Sequence, residues 1–300
     1  MNNPLTYLKS NYSHIKPGII ITAIFCGINL FPALLSAQTK EITAATIFSN
    51  MFSAIQNVKT LRYNLYAFER IDDKITKAHS LIKLNVSPFK AYYKDLDKGV
   101  EILWINGKED DDAIVNPNGF PYVNLHLSPI GKLMRKGQHQ TILRLGYAYL
   151  GDVLSHSLAK FPDIYKKYVH RLEDTIWDNT SCYKVDINFT QYTATPYKVI
   201  HEGETVSKIA SKNFLSDYEV LTLNNISWYE DELKIGKQLQ LPAAYARHVV
   251  LFIEKKNNLP VVIRVYDDKG LFELYEFFNV QLNSTILDSE FTENYSDYHF

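Results

Sequence analysis

Histidines and carboxylates that could share a metal ion or a proton are scattered along this 300-residue chain. His201-Glu202 opens like the zinc-protease pattern HExxH, but position 205 is a threonine and the second histidine is missing. His126 and His139 lie in a polar middle segment, where hydrogen-bonded structural roles outweigh a metal site. The acidic run Glu109 to Asp112 lacks the spacing of a calcium-binding EF-hand loop and reads as a solvated loop. No GxSxG, CxxC, P-loop or GxGxxG pattern occurs. The chain therefore offers no catalytic constellation, no metal ligand set and no cofactor fingerprint, and points to a binding protein and not to an enzyme. One basic pair, Arg135 and Lys136 beside Gln138, could meet a lipid-headgroup phosphate or simply flank a helix start.

The elements that would position these groups fall into two sets. Tyr197 to Pro242 reads as a small βααβ module. Tyr197 to His201 alternates like a short strand, Gly203 breaks it, and Thr205 can cap a helix whose apolar face is Val206, Ile209, Ala210 and Phe214. Ser216 and Glu219 have capping-box spacing and open a second helix that ends at Asn224-Asn225. Leu233, Ile235 and Gly236 make a turn, and Leu239 to Leu241 returns as a strand.

This module resembles the LysM family in its Tyr197-Lys198-Val199 opening, Gly203-Glu204-Thr205, Ile209-Ala210, Leu223-Asn224-Asn225-Ile226 and the Leu233-x-x-Gly236-x-x-Leu239-x-Leu241-Pro242 ending. The resemblance implies binding of N-acetylglucosamine-containing glycans such as peptidoglycan. The groove it implies lies between Gly203, Glu204, Thr205 and Val206 on one side and Asn225, Ile226 and Ser227 on the other. Glu204 stands where Asp is commoner in the family, adding a methylene at the groove edge. Trp228-Tyr229 could stack on a sugar face or pack beneath the module. An inserted unit of this kind can also serve as a spacer that binds no sugar.

Around the module lies a strand-rich domain. Ile42 to Val58 places Ile47, Phe48, Met51, Ile55 and Val58 on one helical face. Alternating runs follow at Leu61–Arg70, Ile75–Val86, Phe89–Leu96 and Val100–Ile105, then 110–116 and Tyr122–Leu127. The spacing of Leu133 to Tyr149 predicts a helix. Strands are predicted at 181–191, Arg247–Lys255, Leu259–Tyr266 and Leu271–Val280, with a hairpin turn at Asp267-Asp268-Lys269-Gly270. Cys182, in the first of these strands, reads as a buried, inert thiol.

This meander resembles the LolA and LppX group of lipoprotein-sorting and lipid-carrier proteins. The residues that carry the likeness are Asn258-Leu259-Pro260, the run Val262 to Asp267, Gly270-Leu271, Phe277-x-Asn279-Val280-x-Leu282-Asn283 and Phe291. The middle segment, with Leu133-Met134-Arg135, Gln138-His139 and Gly146, is similar to a poorly characterised envelope family. The group implies an α+β fold: an antiparallel, half-open β-barrel with covering helices and an apolar cavity for acyl chains. The domain would be discontinuous, 41–195 and 246–300, with the LysM module inserted at 196–243. A unit whose two ends emerge side by side can replace a hairpin turn and leave the flanking strands paired.

Residues 1–37 read as a signal peptide or N-terminal anchor, with Lys9 and Lys16 ahead of an apolar run from Gly18 to Leu35 and a small-residue cut after Ala37. Ala23-Ile24-Phe25-Cys26 lacks the small residue expected before a lipidated cysteine. A periplasmic or cell-envelope location follows as an expectation. The hydrophobic fraction of 46% suffices for a sizeable core, and a formal net charge of −1 argues against nucleic acid as a partner. The 21 tyrosines suit strands with one wet and one dry face. The expected partners are peptidoglycan or another N-acetylglucosamine glycan through the module, and a lipid, acyl chain or lipoprotein through the half-barrel. The alternative is a structural protein of the cell wall that carries no lipid.

Overall fold

Twelve- and thirteen-residue strands form the spine of the molecule. The computed structural model describes residues 41–161, 163–190 and 192–300; the expected leader and Cys26 lie outside these residues. Helix α1 (Ala44–Gln56) leads into β1 (Thr60–Ile71), β2 (Lys74–Asn85), β3 (Lys90–Asp95), β4 (Glu101–Ile105), β5 (Ala113–Asn116) and β6 (Leu125–Leu127). Helix α2 (Ala148–Lys160) and a single turn, α3 (Ile164–Lys167), precede β7 (Val169–Trp177) and β8 (Thr180–Asn188). After a βααβ excursion the chain returns as β11 (His248–Glu254), β12 (Pro260–Asp267) and β13 (Gly270–Leu282). These strands make one antiparallel sheet in the order β6-β5-β4-β3-β2-β1-β13-β12-β11-β8-β7. The sheet ends at β6 and β7 and is not closed. The architecture is α+β, a mostly antiparallel open sheet with a few helices.

The period-2 pattern explains which face is dry. Leu61, Tyr63 and Leu65 of β1 are buried while Thr60, Arg62 and Asn64 between them are not. The same inner face receives Ile82 and Leu84, Leu251 and Ile253, Ile263 and Val265, and Phe277. Helix α1 covers part of it with Ile47, Phe48 and Met51, all fully buried. Thr43 caps α1, its hydroxyl accepting from the Thr46 N–H at 3.2 Å. Strand β11 is buried on both faces, because a second cluster of Cys182, Val250, Phe252 and Val262 lies on the outer side.

One expected element is absent. Residues 133–147 form turns and a short 3₁₀ segment, and α2 begins only at Ala148. Gly137 and Gly146 both take left-handed backbone angles, φ 74° and 82°, which no α-helix accommodates. Gly146 also sits against Leu84, leaving no room for a side chain there, and donates its N–H to the Tyr63 hydroxyl at 3.1 Å. Between these two glycines the backbone turns inward, so that the His139 N–H reaches Glu69 Oε2 at 2.6 Å.

The excursion between β8 and β11 consists of β9 (Thr195–Lys198), α4 (Val206–Asn213), α5 (Asp217–Leu223) and β10 (Gln238–Leu241). Strands β9 and β10 pair antiparallel from Lys198–Gln238 to Thr195–Leu241. The helices start at side-chain caps: Thr205 accepts from the Lys208 N–H at 3.2 Å, and Ser216 from the Glu219 N–H at 3.3 Å. The unit has its own core of Val199, Val206, Ile209, Ala210, Leu215, Val220 and Leu239. Strands β8 and β11 are adjacent and in register from Asn188–His248 to Cys182–Glu254, and Phe189 N–H adds a bond to Arg247 O at 2.9 Å.

Candidate functional site: an apolar cavity beside a docked module

Beneath α2 the inner face of the sheet leaves an apolar cavity of about 130 Å³. Its walls include Leu65 of β1, Val153 and Leu154 of α2, Ile187 of β8, Val249 of β11 and Phe277 of β13. Alternation in four strands and the i, i+3/i+4 stripe of α2 place these side chains together. One end is polar, formed by Gln140, Arg144, Tyr149, Tyr245 and Glu273.

Behind that end lies a buried charge network. His139, 1% exposed, has Nδ1 at 2.8 Å from Glu273 Oε1 and Nε2 at 3.1 Å from the Arg70 carbonyl. Both neighbours are acceptors, so both ring nitrogens carry hydrogen and His139 is an imidazolium. Burial alone would lower its pKa, but the hydrogen bond and charge of Glu273, with Glu69 behind it, raise it. Glu69 accepts from the Tyr275 hydroxyl and from the His139 N–H, both at 2.6 Å, and burial raises its pKa. Tyr245 donates to Glu273 at 3.1 Å and accepts from Gln140 Nε2 at 2.5 Å. Sequence reasoning missed Glu69 and Glu273, because each sits in a strand whose other polar residues face solvent; a carboxylate on the dry face of an alternating run is the signal that could have found them.

The βααβ unit is docked onto this network. Asp217, the first residue of α5, is ion-paired to Arg135 at 3.0 Å and Arg144 at 3.3 Å. The Arg135 guanidinium lies 3.5 Å over the Tyr229 ring, and its Nη2 donates to the His139 carbonyl at 3.1 Å. Tyr218 packs on the His139 ring with centroids 4.3 Å apart, and its hydroxyl accepts from the Asp72 N–H at 2.9 Å. Tyr192 donates to Glu219 at 2.7 Å. Arg135, expected to meet a lipid headgroup, is therefore 3% exposed and committed to Asp217 and Tyr229. Lys136 points outward, so the two residues do not form one basic site.

The loops expected to hold sugar divide in the same way. The Glu204 carboxylate accepts from the Tyr197 hydroxyl at 2.6 Å and from the backbone N–H groups of Ile200 and His201, so its extra methylene reaches back into the fold. Thr205 caps α4, and Val206 is in the module core. Gly203, at φ 70°, donates to Glu232 at 2.8 Å, and the Leu233 N–H reaches the Glu204 carbonyl at 2.8 Å. A shallow depression is lined by Asn225, Ile226 and Ser227 together with Asp231, Glu232 and Lys234; Gly203 to Val206 do not line it. The segment 231–234 was not singled out from sequence, where it read only as a turn. Trp228 and Tyr229 lie against each other and under Lys132 and Arg135, in structural roles. His126 is exposed, 3.4 Å from Glu109.

A family model described as a protein of unknown function, DUF1571, matches residues 58–204. No curated protein matches the sequence. Among solved structures, the chain is similar to MucB at 7% identity and a TM-score of 0.39, covering 83% of this chain and 62% of that one. The Mycobacterium tuberculosis lipoprotein LppX matches at 10% identity and 0.39, covering 82% and 100%. A putative outer membrane lipoprotein-sorting protein domain from Vibrio parahaemolyticus matches at 10% and 0.32, covering 83% and 95%. With TM-scores below 0.5, fold and function rest on the chain's own geometry.

Proposed function

We propose that the protein is a non-catalytic binding protein of the bacterial cell envelope. Its open sheet takes the apolar part of a lipid, acyl chain or lipoprotein, and its βααβ unit is a LysM domain that contacts N-acetylglucosamine-containing glycan. The observation that carries the first part is the apolar cavity between α2 and the inner face of the sheet, with a cluster of polar groups at one end. Such a site, mostly apolar with a few convergent polar groups, is what recognition of a small amphiphile requires. For the second part, the depression at Asn225, Ile226 and Ser227 offers backbone and small polar groups at the tip of the module.

Native mass spectrometry of the full protein purified from its own envelope tests the cargo. Co-purified lipid supports the carrier, and a bare mass across preparations removes it. The glycan is tested by peptidoglycan pull-down of the full protein against an Asn225→Ala, Ser227→Trp double variant. Equal retention of both defeats glycan binding at that loop. Excision of the whole module is the poorer test, because it would leave Arg135 buried without Asp217. A second reading, a structural cell-wall protein without cargo, is favoured by the cavity's volume, which is nearer to that of an engineered benzene-sized cavity of about 150 Å³ than to the roughly 300–1,000 Å³ of ligand pockets. The same mass measurement separates the two.

A further inference from the structure

The polar end of the cavity holds three buried atoms that find no hydrogen-bond partner in the protein: Gln140 Oε1, Arg144 Nη1 and Tyr149 Oη. Buried polar atoms are almost always paired, so three on the wall of one cavity are a coherent signal and not background. Their neighbours fix what each one needs. The Tyr245 hydroxyl gives its hydrogen to Glu273, so it must accept from Gln140 Nε2, which leaves Gln140 Oε1 as the free acceptor. Arg144 spends Nη2 on Asp217 and Ser211, and Nη1 remains a free donor. Burial pushes the Tyr149 hydroxyl up to about 12, so it keeps its proton and can donate. The charge balance points the same way. Arg135 and Arg144 share the single carboxylate of Asp217, so two buried cations face one anion. The nearby Glu273 is already matched by the His139 imidazolium at 2.8 Å.

We infer that the cavity binds a short single-chain carboxylate, its two oxygens taken by Arg144 Nη1 and the Tyr149 hydroxyl and its chain by the apolar walls. This rests on the cavity being the ligand site proposed above. Two donors suit the two oxygens of a carboxylate. A phosphate would bring a third anionic oxygen against Gln140 Oε1, which is itself an acceptor. Gln140 Oε1 is met instead by a hydroxyl of the ligand or by water. The volume sets the chain length: engineered cavities of about 150 Å³ hold benzene, so about 130 Å³ takes roughly six carbons.

NMR titration of the full chain with hexanoate, 1-hexanol and hexyl phosphate tests this. Hexanoate is expected to bind at least tenfold more tightly than 1-hexanol, the margin of a charge-assisted pair. In Arg144→Gln the hexanoate affinity should fall to that of 1-hexanol. Tyr149→Phe removes only a hydroxyl without a protein partner, so it should fold normally and weaken hexanoate several-fold; this keeps the inference testable if Arg144→Gln fails to fold. Equal binding of hexanoate and 1-hexanol would overturn the carboxylate assignment while leaving the apolar site intact. Tighter binding of hexyl phosphate would overturn it in favour of a phosphate head. Binding of none of the three would remove the site itself.

Discussion

Glu219 is a carboxyl held where its charge is unwelcome. Burial first, then the negative charges of Asp267, Glu273 and Asp268, push it up to about 7. Its folded pKa is above the unfolded value, so its favourable contribution is complete below about pH 4.5 and is lost as pH rises through 7. The loss is on the order of 3 kcal/mol. Glu219→Gln keeps an oxygen for the Tyr192 hydroxyl and removes the titration. Urea melts should show the variant gaining on the parent between pH 5 and pH 8; parallel pH profiles would refute the assignment. Arg135 presents the opposite case, a buried charge that must stay. Arg135→Met leaves Asp217 with Arg144 alone and should cost roughly 3 kcal/mol in the same assay, more than any exposed lysine. Its neighbour Lys136, exposed, supplies the control: Lys136→Ala should change stability by less than about 0.5 kcal/mol.

At the scale of elements, alternation was readable and inward turns were not. The runs at Leu61–Arg70, Ile75–Val86 and Leu271–Val280 became β1, β2 and β13 within a few residues, because each buries one face and so fixes its register. The caps Thr205 and Ser216 also stood where their spacing put them. Residues 133–147 failed for a nameable reason: their helical spacing of apolar residues was real, but two glycines at positive φ and a backbone N–H drawn to Glu69 broke it. Those are tertiary facts, and the same segment supplies Gln140 and Arg144 to the cavity. The polar end was therefore hidden where the helix expectation was mistaken. Of the seven groove residues, Glu204, Thr205 and Val206 carry out folding tasks in the module, so a signature can mark a fold more than a contact surface. Ala246, small and buried on the cavity wall, gives a test of the pocket at this scale. Ala246→Leu fills space and should leave stability within about 1.5 kcal/mol, yet exclude any ligand; persistence of bound lipid in native mass spectra would place the cargo elsewhere.

For the molecule as a whole, the question is whether two cores behave as one. The βααβ core and the sheet core are separate apolar clusters, bridged by Arg135, Asp217, Arg144, Tyr218 and Tyr192. Such bridges are buried and specific, so unfolding the module alone would strand two guanidiniums. Calorimetry should therefore show a single transition for both, and two well-separated transitions would mean that the joint contributes little. The in-register pairing of β8 with β11 has a mechanical consequence. A pull on the module enters at one end of two neighbouring antiparallel strands, so it would peel their ladder one bond at a time and not shear many together. Strands loaded in that direction part at low force. If glycan holds the module while the sheet is tugged by its cargo, the first resistance comes from the Arg135–Asp217 and Tyr218–His139 contacts, which act as a clasp ahead of the zipper.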